Sequence, residues 1–354
     1  MSAGAASSTA VGPPRAPLGG GPLDLRSGLR CALFVIVPLA IGFALGQIVG
    51  GVIATLGAVN LLLVDSPLGQ PTTRVRTLAV ALVANALAFG LGTVVTWLPQ
   101  LSETILIGTI VAAILYVATR LGAPGAGTTV AILFVVPIGL PGGGLDDAAL
   151  RTGLILAGGG CALIGAMLPR WWPGLASTPR GPPRPIPVLD AAACLPYAVA
   201  VGATVALGFV VAHQLDLGRD FWVMLTVLVA LRPDLAGTFS LATQRIAGTI
   251  AGAAIAYGIT VSTSSFPILL ATLAFATALT FATRTMNYVV FATALTVFVI
   301  CLLNLAYSGG PTLALDRIED TVLGGALAVA TGAVLTYGLR VHRAPPGAAP
   351  ASRA

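Results

Sequence analysis

The feature that most restricts this chain is a set of long stretches without any charge. Leu78–Leu98, Ala191–Val211 and Thr321–Leu339 each hold about the 20 residues that a helix needs to cross a hydrocarbon core. Only 8% of the 354 residues are charged and 56% are hydrophobic. A soluble domain carries about 25% charged residues, so this chain cannot cover a globule with polar surface. It reads as an all-α, polytopic transmembrane helical bundle and not as a soluble enzyme.

Every basic residue is Arg; there is no Lys. That excludes the Lys of a phosphate-binding Walker loop and lysine Schiff-base catalysis. Cys31, Cys161, Cys194 and Cys301 lie far apart in apolar runs, without metal or redox spacing, and read as small buried hydrophobes. No cofactor and no metal are expected.

Apolar runs set against charges, prolines and glycines give twelve candidate spans, at about 29–49, 51–64, 75–97, 103–119, 127–140, 149–168, 191–212, 220–231, 243–261, 266–282, 286–306 and 319–340. The runs at 51–64, 127–140 and 220–231 are short enough to be re-entrant. Arginine placement favours crossings. Twelve of them, with a cytoplasmic N-terminus, put fifteen arginines inside and only Arg151, Arg219 and Arg317 outside; without crossings at 51–64 and 220–231 the split weakens to eleven against seven. The positive-inside rule then places both termini in the cytoplasm of a bacterial inner membrane. The positive charge is thereby explained by topology, and no nucleic-acid partner is expected.

The expected organisation is a tail at 1–28, a six-helix half at 29–168, a Pro-rich linker at 169–190, a second six-helix half at 191–340 and a tail at 341–354. Each half has a short run ending near a Pro and a Gly (Pro67 and Gly69; Pro233 and Gly237) and an arginine-bearing restart at Arg74–Arg76 or Arg245. An even number of crossings per half implies two parallel repeats about an axis along the membrane normal.

The second half carries Phe221-Trp222, Arg232-Pro233, Gln244-Arg245-Ile246-Ala247-Gly248-Thr249 with Gly252, Asn287-Tyr288, and Arg317-Ile318-Glu319-Asp320-Thr321 leading into Gly324-Gly325. In order and spacing these resemble the fusaric acid resistance (FUSC) family of membrane proteins, over about 190–340. That family is associated with export of aromatic weak acids and is similar to plant aluminium-activated malate transporter channels. The resemblance implies an exporter of small organic anions, aromatic carboxylates above all.

Candidate substrate residues are Arg245, Arg76, Arg74, Asn85 and Asn287. Arg245 reads either as a bidentate carboxylate ligand or as an anchor at a span's margin. Arg317, Glu319 and Asp320, with Asp220 and His213 in an outer loop, are candidates for coupling or gating; the alternative is a solvated helix cap. Phe221 and Trp222 read as an interfacial aromatic belt. Gly248, Thr249, Gly252, Gly324 and Gly325, like Gly42, Gly46 and Gly50, have the spacing of close helix packing. The partners expected are the lipid bilayer and a small organic anion, with self-association left open. Proton-coupled export is the first functional reading; an anion channel or facilitator and a non-transporting scaffold are the alternatives.

Overall fold

A computed structural model describes residues 23–65, 71–170, 191–307 and 312–341. All described elements of regular length are helices: α1 Leu25–Ala44, α2 Ile48–Val64, α3 Pro71–Val95, α4 Gln100–Arg120, α5 Pro124–Val135, α6 Leu145–Met167, α7 Ala191–Gln214, α8 Phe221–Ala230, α9 Leu235–Ser262, α10 Phe266–Thr283, α11 Tyr288–Tyr307 and α12 Thr312–Val341. The ends follow local chemistry. Asp24 accepts from the Ser27 N–H at the start of α1, and Asp234 from the Gly237 N–H at the start of α9. Prolines occupy the first turns of α5 and α10, where a missing N–H costs nothing. The span expected at 29–49 stops early at Ala44. There Gly46 turns the chain with φ of 69°, a left-handed backbone that glycine adopts freely. Gly46 and Gln47 thus form the α1–α2 turn and lie outside the helices. Residues 1–22 of the N-terminal tail, the tail after Val341, most of the linker, Pro67 and Gly69 fall outside the described residues, while α1 already begins at Leu25, within the stretch expected as tail.

Nine of the described helices are long and apolar enough to cross a membrane; α2, α5 with its 3₁₀ extension to Gly139, and α8 are shorter. The ten residues of α8 rise about 15 Å, and the extended stretch after it adds about 13 Å. Between them they run beside α12 from the level of Arg317, which Trp222 faces, to the level of Thr336, whose hydroxyl accepts from the Leu235 N–H. The non-helical part satisfies its backbone from neighbours: Tyr197 donates to the Leu231 carbonyl at 3.0 Å, and Thr238 bonds both the N–H and the carbonyl of Arg232. Irregular backbone at membrane depth needs such internal partners.

Helices pair in the same way in each half. α2 packs on α6 as α8 packs on α12; α3 packs on α5 and α6 as α9 packs on α11 and α12. Between halves the pairing is reciprocal: α4 lies on α7 and α10 on α1, α5 on α8 and α11 on α2. Close approaches set the register. Gly92 faces the Phe134 carbonyl and Pro137, as Gly252 faces the Thr293 carbonyl and Thr296; Gly158 faces the Ala54 carbonyl, as Gly324 faces that of Val223.

One end of the bundle is tied across the halves. Arg284, between α10 and α11, donates to the carbonyls of Leu62, Leu63 and Asp65 at 2.9–3.2 Å, covering the C-terminal carbonyls of α2 that have no helical partner. The Asp24 N–H donates to the Ala282 carbonyl beside it.

Candidate functional site

Arg245 and Arg317 share one buried environment inside the second half. α9 begins at Leu235, so Arg245 stands ten residues into the helix and is 5% exposed. The reading of Arg245 as the start of a span is corrected on this point. The polar run before it stays helical because Thr243 and Gln244 return their side chains to the carbonyls of Phe239 and Ser240. Arg317 is 2% exposed, and its guanidinium carbon lies 4.0 Å from the centre of the Trp222 ring, a cation–π geometry. Arg245, Asp320 and Tyr288 are the charged and ionisable groups that act on it.

The solvated cap is corrected as well. α12 begins at Thr312, more than a turn before Arg317, and packs against α8. Arg317 and Asp320 are therefore buried, and only Glu319 is exposed. Phe221 and Trp222 are buried core residues and form no interfacial belt.

Many polar atoms of this cluster lack partners. Nε of Arg245, Nε and Nη1 of Arg317, Oγ1 of Thr249, the Tyr288 hydroxyl and both Asp320 oxygens are buried without a hydrogen bond among the described residues. Buried polar atoms are bonded in roughly 90% of cases. A group of them here, carrying two guanidinium ions, is a binding chemistry for an anion: planar donors that match a carboxylate.

The other candidate residues are placed elsewhere. Arg74 makes a bidentate pair with Asp65 at 2.6 Å, and Arg76 is exposed. Neither is the packing counterpart of Arg245, which lies seven residues before Gly252. The position seven before Gly92 is Asn85, which is 1% exposed with both amide atoms unpartnered. By the same register Arg151, seven before Gly158, matches Arg317; one of its nitrogens donates to the Pro141 carbonyl. Asn287 is exposed and caps α11 by accepting from the Val289 and Val290 N–H groups. Gly248, Gly252 and Gly324 are packing positions: an added Cβ would come within 2.6 Å of Ala292 Cβ, 2.6 Å of the Thr293 carbonyl and 2.7 Å of the Val223 carbonyl, and Gly325 faces Ile246 at 3.3 Å. Thr249 is packed too, yet its hydroxyl belongs to the cluster. Trp222 and Tyr288 were missed as cluster members, because nothing in local sequence brings α8 and the start of α11 to α12.

Asp220 and His213 lie at the opposite end from Arg284, 3.3 Å apart. They line an open depression of about 240 Å³ with Gly139, Asp216, Leu217, Gly218 and Arg219. Burial pushes the Asp220 carboxyl above its ordinary range, against the opposing pull of its bond to His213. Burial also lowers the Arg219 guanidinium, which stacks 5.2 Å from the Tyr307 ring. Among the described residues no group of His, Cys, Asp and Glu could hold a metal ion.

A bundle of apolar, membrane-length helices enclosing a buried arginine pair defines a polytopic helical membrane protein. Residues 202–331 match the family model described as fusaric acid resistance protein-like, so this part of the chain is similar to that family. The matched region contains Trp222, Arg245, Thr249, Tyr288, Arg317 and Asp320. The chain is also similar to "Uncharacterized protein ORF2" of Neisseria gonorrhoeae, 32% identical over 136 residues that make up 37% of this chain and 32% of that protein. The match thus spans about a third of the relative's length. No solved structure matches.

Proposed function

We propose that this protein is a secondary transporter of small organic anions, working in the export direction and taking aromatic carboxylates. The observation that carries the reading is the pair of buried arginines, Arg245 and Arg317, with unpartnered N–H donors beside Thr249 and Tyr288. The carboxylate of the substrate is bound by the two guanidinium groups, and Trp222 forms the apolar wall on which Arg317 rests. The setting is a bacterial inner membrane, with both termini in the cytoplasm, and the two halves act as parallel repeats. No catalytic chemistry is assigned. Polar groups in the interior favour transport over a purely packed scaffold. A passive facilitator would use the same arginines, and reversal potentials in bilayers separate it from a coupled carrier.

Accumulation of labelled benzoate in cells lacking the protein, restored with the wild type, or restored with Arg245→Ala tests the reading. Removing a buried charged hydrogen-bond partner costs about 1.5–3 kcal/mol, so Arg245→Ala weakens handling of benzoate by about 10- to 100-fold, while Arg76→Ala leaves it unchanged. Higher retention in the deletion strain, corrected by wild type and not by Arg245→Ala, supports export. Lower accumulation in the deletion strain reverses the direction, and equal accumulation in all strains removes benzoate as a substrate.

A further inference from the structure

We propose that Asp320 is the group that takes up a proton when the arginine site fills, so that an anion and a proton bind together. This rests on the reading of the cluster as an anion site. Asp320 is 1% exposed, one turn of α12 beyond Arg317, and neither of its oxygens has a hydrogen-bond partner among the described residues. Its carboxylate therefore shares the low-dielectric interior with the place an incoming anion occupies.

The charged and ionisable groups around it are few. Arg317, Asp316 and Glu319 belong to its own helix, and Asp220 reaches it from the segment before α8. Arg245 of α9 and Tyr288 of α11 act on the same spot through Arg317. α8 contributes the uncharged Trp222. Three of these groups, Asp316, Glu319 and Asp220, are carboxylic acids, so a further negative charge on a bound carboxylate makes the Asp320 proton more favourable by Coulomb's law. Linkage is reciprocal: a proton on Asp320 must favour the anion by the same factor. The step balances simply. One hydronium ion gives its proton to the Asp320 carboxylate and leaves water, and the site takes one negative and one positive charge with no net change, so that in export the anion and the proton leave together. Asp220 lines the depression and acts electrostatically on Asp320.

Calorimetric titration of the full chain in lipid nanodiscs tests this, with benzoate and benzenesulfonate as probes. The sulfonate stays ionised at all the pH values used, so its pH dependence reports on the protein. Above the pH where Asp320 titrates, wild-type affinity is expected to fall by up to tenfold per pH unit. Titrations in buffers of different ionisation enthalpy should then show up to one proton taken up per anion. Asp320→Asn should bind both probes without that slope, and Asp320→Glu should keep the slope with a moved midpoint, which guards against a variant that fails to fold. A flat wild-type profile overturns the proposal, as does a slope that survives in Asp320→Asn. A slope lost in Asp220→Asn but kept in Asp320→Asn assigns the proton to Asp220 instead and overturns it too. If folded wild-type protein binds neither probe at any pH, the anion site itself is refuted and the coupling with it.

Discussion

Asp220 meets His213 at 3.3 Å on the rim of the open depression, and burial holds its carboxyl above the usual carboxylate range. A raised folded value means that the folded protein binds this proton more tightly than the unfolded chain does. The folded state therefore gains stability as pH falls through the folded value and loses it as pH rises. Asp220→Asn, which keeps a neutral group at all pH values, should melt at or above the wild-type Tm at neutral pH. The difference should close on acidification. A gap that widens as pH falls would show that pairing with His213 outweighs burial. Arg245 teaches a related lesson at the same scale: ten residues into a helix and 5% exposed, it has no water to snorkel to, so its charge is answered by whatever the interior supplies.

Among the elements, the glycine contacts of α8, α9 and α12 decide how closely the second half closes. Gly324 brings α12 against the Val223 carbonyl and Thr226, where an added methyl would lie 2.7 Å from each. Overpacking of this kind costs about 1–3 kcal/mol, so Gly324→Ala should lower Tm in detergent. Gly153 of α6 has nothing within 4 Å of an added Cβ, and alanine there should stabilise by roughly 0.5–1 kcal/mol through helix propensity. Equal effects at both positions would mean that propensity, and not contact, governs. Much at this scale was legible in the sequence. Charge-free runs and flanking arginines located all twelve helices, because apolar length is written along the chain. Boundaries slipped at Gly46 and before Arg245, where a left-handed turn and side-chain returns to backbone carbonyls shift a helix end without changing hydropathy. The site was half legible. Arg245, Arg317 and Asp320 stand out as charges in apolar surroundings, but their meeting with Trp222 and Tyr288 depends on how α8, α9, α11 and α12 pack. Arg74 and Asn287 looked equally suitable; the one is held by Asp65 and the other caps α11.

At the scale of the whole molecule, the Arg284 contacts with α2 are the most specific tie between halves. Arg284→Ala leaves the Leu62, Leu63 and Asp65 carbonyls without their cation and should cost about 1.5–3 kcal/mol, seen as a lower Tm. Arg120, at the corresponding α4–α5 turn, is exposed, and Arg120→Ala should change stability by less than about 0.5 kcal/mol. Equal losses would place the tie elsewhere.

The reciprocal helix pairing, α4 on α7 and α10 on α1, has a consequence in the language of assembly. It is similar to the contact pattern of a two-fold dimer, in which one patch meets its own copy. Two identical subunits must change together, since a substitution in one appears in the other. Joined halves are free of that constraint, and one can keep Asn85 where the other has Arg245. A single polypeptide can therefore carry different side chains at positions that pack alike, as Arg317 rests on Trp222 while Arg151 reaches the Pro141 carbonyl.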